Sequence, residues 1–537
     1  MEPESGHQRR CPVGESQARS LVRYHRQLHP GTHGQRRRLG QLLGTGPARN
    51  DYRGRCRLRT RQLDSDRATE PVVCCRGWRP GITPFELVRR PAISVSTSTT
   101  DLLSVDQIAE RLERALSHSP ADETELVWLE VNHGNASNRG QRIDARALPE
   151  RTVLVRVIDR GRVGSHRTGA SEPSEIDNAV RMAIAQSRSR DPLPGLPHLP
   201  ADDTKLTTTS DLYDPELAGL DADGARALLA RLRRRRESVW LQWSDARVAV
   251  FNSRGVRRQM AVTAATFETS RGRRPGGGRA ASSSRSLQGL EPERVIERAR
   301  NRHASGPVGD PPTGPVSVLL SPEATIQLLD ILNRAAFSAI SYHRGSSFLR
   351  QHLDVQVFDR GINLRDDGTN SRGLPFPFDL EGTAKRSVDL IFKGSPKTPA
   401  LDQRQAAQLG LPPTAHAIGG NDARAENLFL LPGETAADQM LLAADGGIWI
   451  GSLEHLECFE PTRAQIRAHA RGVRLIERGQ LGQSLPDLLW EDGLLRVFSS
   501  LLALGDEPVV WSPRAGFFGA ISAPSMAISA VPKLEIL

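Results

Sequence analysis

Lysine is nearly missing from this chain: only 5 of its 72 basic residues are Lys and the rest are Arg. Cysteine is scarce too, with 5 in 537 residues, and Cys11, Cys56, Cys74 and Cys75 all fall in the first ninety positions with no C-x-x-C spacing. Only Cys458 lies beyond them, which excludes a disulfide framework for the body and points to a reducing compartment. No apolar run is long enough to span a bilayer; the nearest, GFFGAISAPSMAISAVP at 516–532, is broken by Pro and Ser. No basic stretch leads into an apolar segment at the N-terminus, so no secretory signal is read and a soluble, cytoplasmic protein is expected. The signatures G-x-S-x-G, S-x-x-K, Walker A and H-E-x-x-H do not occur, so no familiar hydrolase or nucleotide motif announces itself.

What is present begins with arginine. The formal net charge is +10, but residues 1–90 hold 19 Arg against 8 Asp or Glu, a surplus that leaves the remainder at −1. Basicity therefore belongs to the first segment, and nucleic acid is not expected as a partner of the body. That segment has no sustained helical or strand period, so 1–100 reads as an Arg-rich extension, disordered or non-native. A nucleic-acid or acidic-partner tail and a transit peptide are its other readings. A length of 537 residues, 38% of them apolar, with 47 glycines, supports two or more folded domains.

From Ser104 the pattern becomes regular. SVDQIAERLERAL sets Val105, Ile108, Leu112 and Leu116 at helical spacing behind a Ser N-cap, with Gln107 placed for a capping box. ELVWLEV (125–131) and RTVLVRVIDRGRVGSHR (151–167) alternate like strands, with DRG as a turn. EPSEIDNAVRMAIAQSRSRDP predicts a helix burying Ile176, Val180, Ala183 and Ile184, and a second helix covers about 221–236. NSRG at 252–255 marks a hairpin. RGRRPGGGRAASSSRS (271–286) reads as a flexible glycine- and serine-rich loop, and GPVGDPPTGP (306–315) as a linker.

Individual chemical groups are sparse. His455, Cys458 and His469 have a near-zinc spacing but lack a fourth ligand, so surface residues with a small buried Cys are the plainer reading. The acid pairs Asp366–Asp367 and Asp379–Glu381 sit in turn-rich text and read first as solvated turn formers.

Taken together, several pieces resemble the TldD/PmbA family, also called the modulator of DNA gyrase or TldD/TldE family. VRVIDRGRVGSHRTG, AVRMAIAQS and NSRGV are similar to its N-terminal domain. VLLSPEATIQLL, DDGTNSRGLPFPFDLEGTAKRSVDLIFKG, ARAENLFLLPGE and RGVRLIERGQ are similar to its C-terminal domain. The resemblance implies an α+β fold of two domains, 101–305 and 316–537 joined by 306–315. The first would be a sheet-and-helix domain, the second a barrel-like curved sheet. It also implies dimers enclosing a proteolytic chamber for unfolded peptides. In the TldD branch a helix bearing H-E-x-x-x-H, with a later Cys, holds zinc; the PmbA/TldE branch lacks those ligands.

The resemblance is to the PmbA/TldE branch. It places Pro322 and Gln327 where the two histidines would stand, with Glu323 at the Glu. Pro has no ligand atom and a Gln amide is a poor zinc donor, so no metal or cofactor is expected in this chain and zinc is expected in a TldD-like partner. Helix-start chemistry explains SPE by itself: Ser321 as N-cap, Pro322 at the first position, Glu323 at the positive dipole end, with Leu328, Ile331, Leu332 and Ala335 as the buried stripe. Glu323 is left as a vestigial general-base candidate, and Asp379, Glu381, Gly382 and Asn427 as candidates for shaping the chamber or binding substrate backbone. The implied function is a pseudo-peptidase subunit in proteolysis, paired with a zinc-bearing paralogue or with itself. The alternatives are a stand-alone hydrolase and a nucleic-acid binder acting through the arm.

Overall fold

The computed structural model describes residues 102–537 apart from 140–141, 170, 203–204, 207–210, 233–235, 273–274, 420–421 and 533. Every reading of the Arg-rich extension therefore lies outside the described residues. The first helix, α1 (Val105–Ser117), begins as its sequence dictates: the Ser104 hydroxyl accepts from Gln107 N while the Gln107 side chain accepts from Ser104 N. Ile108 and Leu112 are buried on its inner face.

Six antiparallel strands follow: β1 (Glu123–Arg139), β2 (Arg142–Asp159), β3 (Arg162–Thr168), β4 (Glu237–Asn252), β5 (Arg257–Arg271) and β6 (Gly278–Ser284), in the order β3-β2-β1-β4-β5-β6. The DRG turn is a tight one, with Arg160 and Gly161 at φ 53° and 70°, the positive values a two-residue hairpin requires. β1 runs eight residues past the expected 131, through the polar stretch NHGNASNR. Gly134 explains the extension: it pairs with Trp243 on β4, and a Cβ at Gly134 would lie 1.9 Å from the Trp243 ring. The missing side chain lets the indole cover the strand, while its Nε1 donates to Leu220 O at 2.8 Å.

Between strands the chain forms α2 (Pro173–Arg188), the single turn α3 (Pro215–Ala218), α4 (Ala222–Leu232) and, after β6, α5 (Pro292–Arg302). These helices share one face of the sheet. α1 and α2 pack Leu112, Ile176 and Val180 against Leu126, Trp128 and Phe251. α4 and α5 pack Leu229 and Ile296 against Leu241, Trp243 and Phe267. The alternate residues Val127, Val131, Val248, Val250 and Val262 face the other way, onto Leu374, Phe376, Phe378, Leu380 and Phe517 from the C-terminal half. The middle of the sheet is therefore buried on both sides.

The stretch read as a loop at 271–286 is, over 278–284, strand β6. Its small residues are a packing requirement: a Cβ on Gly278 would lie 2.0 Å from Ala299 O of α5, and Ala280 and Ala281 are fully buried. The linker is pinned as well, since Gly309 N donates to Ser484 O at 2.8 Å. The described residues fall in one compact unit, and among them no sheet mixes strands from before and after 306–315.

The C-terminal half is mixed α+β. Its strand β7 (Val316–Leu320) lies inside a six-stranded sheet and leads into α6 (Pro322–Leu332), the centre of the largest apolar core. Its other strands form a second six-stranded sheet, a four-stranded sheet and a two-stranded ribbon. The barrel-like character expected here does not extend to closure, for no closed barrel forms among the described residues. One reason is visible at the edge strand Ser452–Glu460, whose Leu453 backbone groups bond to a side chain of α6 rather than to another strand. No described helix is long and apolar enough to cross a membrane.

Gly278→Ala is expected to lower stability by about 1–3 kcal/mol through overpacking of α5 on β6, read as a lower urea midpoint; an unchanged midpoint would show that the close approach does not matter.

Candidate functional site

At the start of α6 the Ser321 hydroxyl accepts from Ala324 N at 3.0 Å and donates to Gly451 O at 2.7 Å. Pro322 occupies the first turn, as its fixed φ favours. Glu323 is 1% exposed and turned toward the N-terminal half. Its Oε1 accepts from Ala281 N of β6 at 3.2 Å, its Oε2 lies 2.7 Å from Arg302 Nη1 of α5, and Arg298 Nη2 lies 4.0 Å away. A general base must reach a substrate proton or water; this carboxylate is committed to a backbone amide and two guanidiniums.

Gln327, one turn on, donates from Nε2 to Leu453 O at 2.6 Å and accepts at Oε1 from Leu453 N at 2.8 Å. The amide imitates a neighbouring strand and ties α6 to the edge of Ser452–Glu460. Pro322 offers no donor atom, Glu323 is ion-paired in the core and Gln327 is bonded to backbone at both ends, so these residues do not fit a zinc site. Beside them lies a cleft of about 500 Å³ lined by Gln327, Asp330, Arg334, Arg279 and residues 453–456. Burial alone would raise the Asp330 carboxyl, but Arg334 and Arg514, the latter 3.1 Å away, outweigh it and hold it below the usual carboxylate range.

The alternative metal group does not assemble. His455 and His469 stack edge to face with centroids 4.9 Å apart, but Cys458 packs against the main core, where burial pushes its thiol up to about 11. Among the described residues no group of three or more His, Cys, Asp or Glu side chains could hold a metal ion.

A larger cavity, about 600 Å³, lies between the helix-free face of the sheet and the C-terminal half. Val127, Leu129, Val131 and Leu154 line it on one side and Leu380, Phe517 and Phe518 on the other, and Glu150, His166, Arg167 and Asp422 also reach it. At one end Arg156 on β2 bridges two carboxylates, Glu125 on β1 at 2.8 Å and Glu381 at 2.7 Å. Glu381 Oε2 also accepts from Gln403 N at 3.0 Å, and Asp402 caps the helix Gln403–Leu409 beside it. Asp379 adjoins the group: it accepts from Glu381 N, Thr383 N and Ala417 N at 2.9–3.0 Å.

Two carboxyls thus share one guanidinium, with Asp402 and Asp379 close to Glu381 in the same buried setting, and ionising all four is costly. Burial first, then Glu381, pushes Asp379 up to about 7 and Asp402 up to about 6. Burial likewise pushes Glu125 up to about 7 against the pull of Arg156.

Of the predicted site residues only Glu381 reaches this cavity. Asp379 organises the turn 379–383, in which Gly382 has φ +78° and a Cβ would lie 2.4 Å from Val256 Cγ1. Asn427 holds the Asp367 turn through Asp367 O at 2.7 Å and Leu374 N at 2.9 Å. Asp366 is not solvated as expected: it is fully buried, accepts from Glu426 N and Asn427 N, and lies 2.9 Å from His416 Nε2 and 3.5 Å from Lys385 Nζ. His416 Nδ1 in turn meets Thr414 Oγ1 at 2.7 Å. The order of groups resembles a nucleophile relay, yet His416 is 1% and Thr414 4% exposed, out of a substrate's reach.

The residues that sequence reasoning passed over are Glu125, Arg156 and Asp402. A signal was present: Glu125 shares its strand face with Val127, Leu129 and Val131, and Arg156 shares its face with Leu154. A charge inside an apolar stripe is a mark of a buried pair.

Comparison with known proteins agrees with this architecture. Residues 313–532 match the family described as PmbA/TldA metallopeptidase C-terminal domain. TldE from Thermococcus kodakarensis superposes with a TM-score of 0.69 at 19% identity, covering 79% of this chain and 100% of that one. A protein from Thermotoga maritima, titled as a candidate modulator of a DNA gyrase, gives 0.69 at 17% identity, covering 79% of this chain and 99% of that one. These likenesses establish the fold. An uncharacterized protein of Methanocaldococcus jannaschii is 33% identical over 105 residues, a span covering 19% of this chain and 25% of that relative's length. The C-terminal half is thus a metallopeptidase-type domain. Through residues 313–532 the chain carries a domain of the TldD/PmbA family.

Raised carboxyls make stability depend on pH with a definite sign. Between the ordinary value of 4.5 and about 7, folded Glu125 keeps a proton that the unfolded chain has released. Its contribution is therefore intact below that window and lost as pH rises through it. Glu125→Gln, which cannot ionise, is expected to flatten the fall in urea midpoint between about pH 5 and about pH 8; an unchanged slope would assign the fall to other groups.

Proposed function

We propose that this chain is the non-catalytic, TldE-like subunit of a cytoplasmic metallopeptidase complex, which shapes a chamber and presents unfolded peptide to a zinc-bearing, TldD-like partner. The observation that carries the reading is the double use of α6: Glu323 is paired with Arg302 in the core and Gln327 is bonded to Leu453. All three positions that the resemblance aligns with the metal motif have structural work, Pro322 by opening the helix. The cavity supports the substrate class. A trough floored by a sheet, in which apolar side chains such as Val127, Leu129 and Phe517 share the lining with charged ones such as Glu150, Arg156, Arg167 and Glu381, suits extended chain with mixed side chains better than a compact metabolite. The function needs no DNA contact from the body, whose charge is close to balance.

A second reading has one observation in its favour: carboxyls titrating near neutrality in a cavity are also what a general acid or base requires. It makes the chain a hydrolase by itself, insensitive to chelators. Co-expression with a TldD-type subunit separates the two. The proposal expects a co-purifying complex that cleaves unfolded peptides and is silenced by chelators, with no activity from this chain alone. Separate elution without joint activity would sink it, and chelator-insensitive activity of the isolated chain would select the second reading.

A further inference from the structure

One face of α6 carries more positive charge than its own acid balances. Gln327, Asp330 and Arg334 follow at spacings of three and four and share that face, Arg334 standing in the π-helical turn Asn333–Phe337 that continues the helix. A π turn appended to an α-helix is frequent at functional sites. Asp330 is held in a fork by Arg514, whose Nε donates to Oδ1 at 3.1 Å and Nη2 to Oδ2 at 3.2 Å. Both carboxylate oxygens are therefore already bonded where Arg334 Nη2 lies 3.2 Å from Oδ2. Arg334 is a second cation on one anion, and its Nε is buried with no partner among the described residues. Burial, with Arg514 and Arg424 nearby, holds it below the ordinary guanidinium range.

The cleft of about 500 Å³ beside α6 is lined by Arg334 and by a second arginine, Arg279 of β6. Arg279 donates from Nη2 to Glu268 at 2.6 Å and lies 5.6 Å from the Trp511 ring centroid, which leaves its Nε and Nη1 uncommitted among the described residues. Glu454, an acid of the same lining, is engaged by Arg471 at 3.2 Å. The two cleft arginines are 31% and 29% exposed, sheltered enough to strengthen a charge-assisted bond and open enough to receive one.

We propose that this cleft is a carboxylate subsite, in which Arg334 and Arg279 hold a carboxylate of a bound peptide, either its C-terminus or an Asp or Glu side chain. A guanidinium presents parallel N–H groups that match the two oxygens of a carboxylate. A carboxylate placed here gives Arg334 the anion that Asp330, already claimed by Arg514, does not supply. The inference rests on the peptide reading above for the source of the carboxylate, and on the arginines for its place.

Fluorescence anisotropy with the purified full chain tests this, using labelled unstructured peptides of one neutral sequence: a C-terminal amide, a free C-terminus, and an amide with a single internal Glu. A carboxylate-bearing peptide is expected to bind about tenfold or more tighter than the neutral amide, the worth of one charge-assisted pair. Which of the two shows the gain tells terminus from side chain. Arg334→Gln and Arg279→Gln should each remove most of that gain while leaving the affinity for the neutral amide unchanged. Asp330 keeps Arg514 in the first variant, so the fold is retained, and thermal unfolding checks this for both. Equal affinities for all three peptides would overturn the subsite and leave the peptide reading standing. Binding of none of them would count against peptide as the substrate class as well. A gain that survives both substitutions, or variants that weaken the neutral amide equally, would overturn the placement of the subsite in this cleft.

Discussion

The carboxylate of Glu323 joins the two halves of the molecule, and much of the arrangement follows from where it points. It leaves the first turn of the central C-terminal helix and bonds a backbone amide of the last strand of the N-terminal sheet. Arg302, from the helix on that sheet, closes the pair and lies over the Trp449 ring, 5.7 Å from its centroid. A carboxylate removed from water in this way is tolerable only while its cations and amide stay in place. The contact therefore fixes β6, α5 and α6 relative to one another. It also needs the small residues of β6, because only glycine at 278 and alanine at 280 and 281 let the strand lie close enough to α5 and α6.

Once that junction is set, the N-terminal sheet has one face for its helices and one for the C-terminal half, and the cavity is the part of the second face left unfilled. Its charged end is held by the same logic as Glu323. Arg156 comes from one half of the molecule, Glu381 and Asp402 from the other, and none could be buried alone. Burial, reinforced by the neighbouring carboxyl of Glu381, raises Glu125, Asp379 and Asp402 toward neutrality. The same cluster that closes the cavity thus makes the join between halves sensitive to pH.

Local elements were legible in the sequence because their causes are local. The Ser104 capping box, the DRG and NSRG turns, the buried stripe of α2 and the Ser321–Pro322 helix start depend on residues a few positions apart. What escaped sequence reasoning depends on contacts across long separations. Strand β1 continues through a polar stretch because Trp243 on another strand fills the space at Gly134. The stretch 278–284 reads as a loop, yet its small residues serve a strand against which α5 packs, Gly278 lying beneath Ala299 O. Asp366 looks like a turn acid, and is buried because His416, Lys385 and two amides converge on it. Glu381 was singled out in the sequence and lines the cavity, whereas Glu125, Arg156 and Asp402 were passed over as strand and loop residues. Pro322 and Gln327 stood out in the sequence, but their present work, a helix start and a strand-edge clamp, became visible only in three dimensions.

The account rests on α6 being held by protein contacts and not by a metal, and urea unfolding of the parent and of Glu323→Ala, each with and without a chelator, tests it most directly. It predicts that the substitution, which strands Arg302 without its partner, lowers stability by about 3–5 kcal/mol, by the same amount in both conditions, with the parent indifferent to the chelator. A parent destabilised by the chelator, or a variant as stable as the parent, would contradict it.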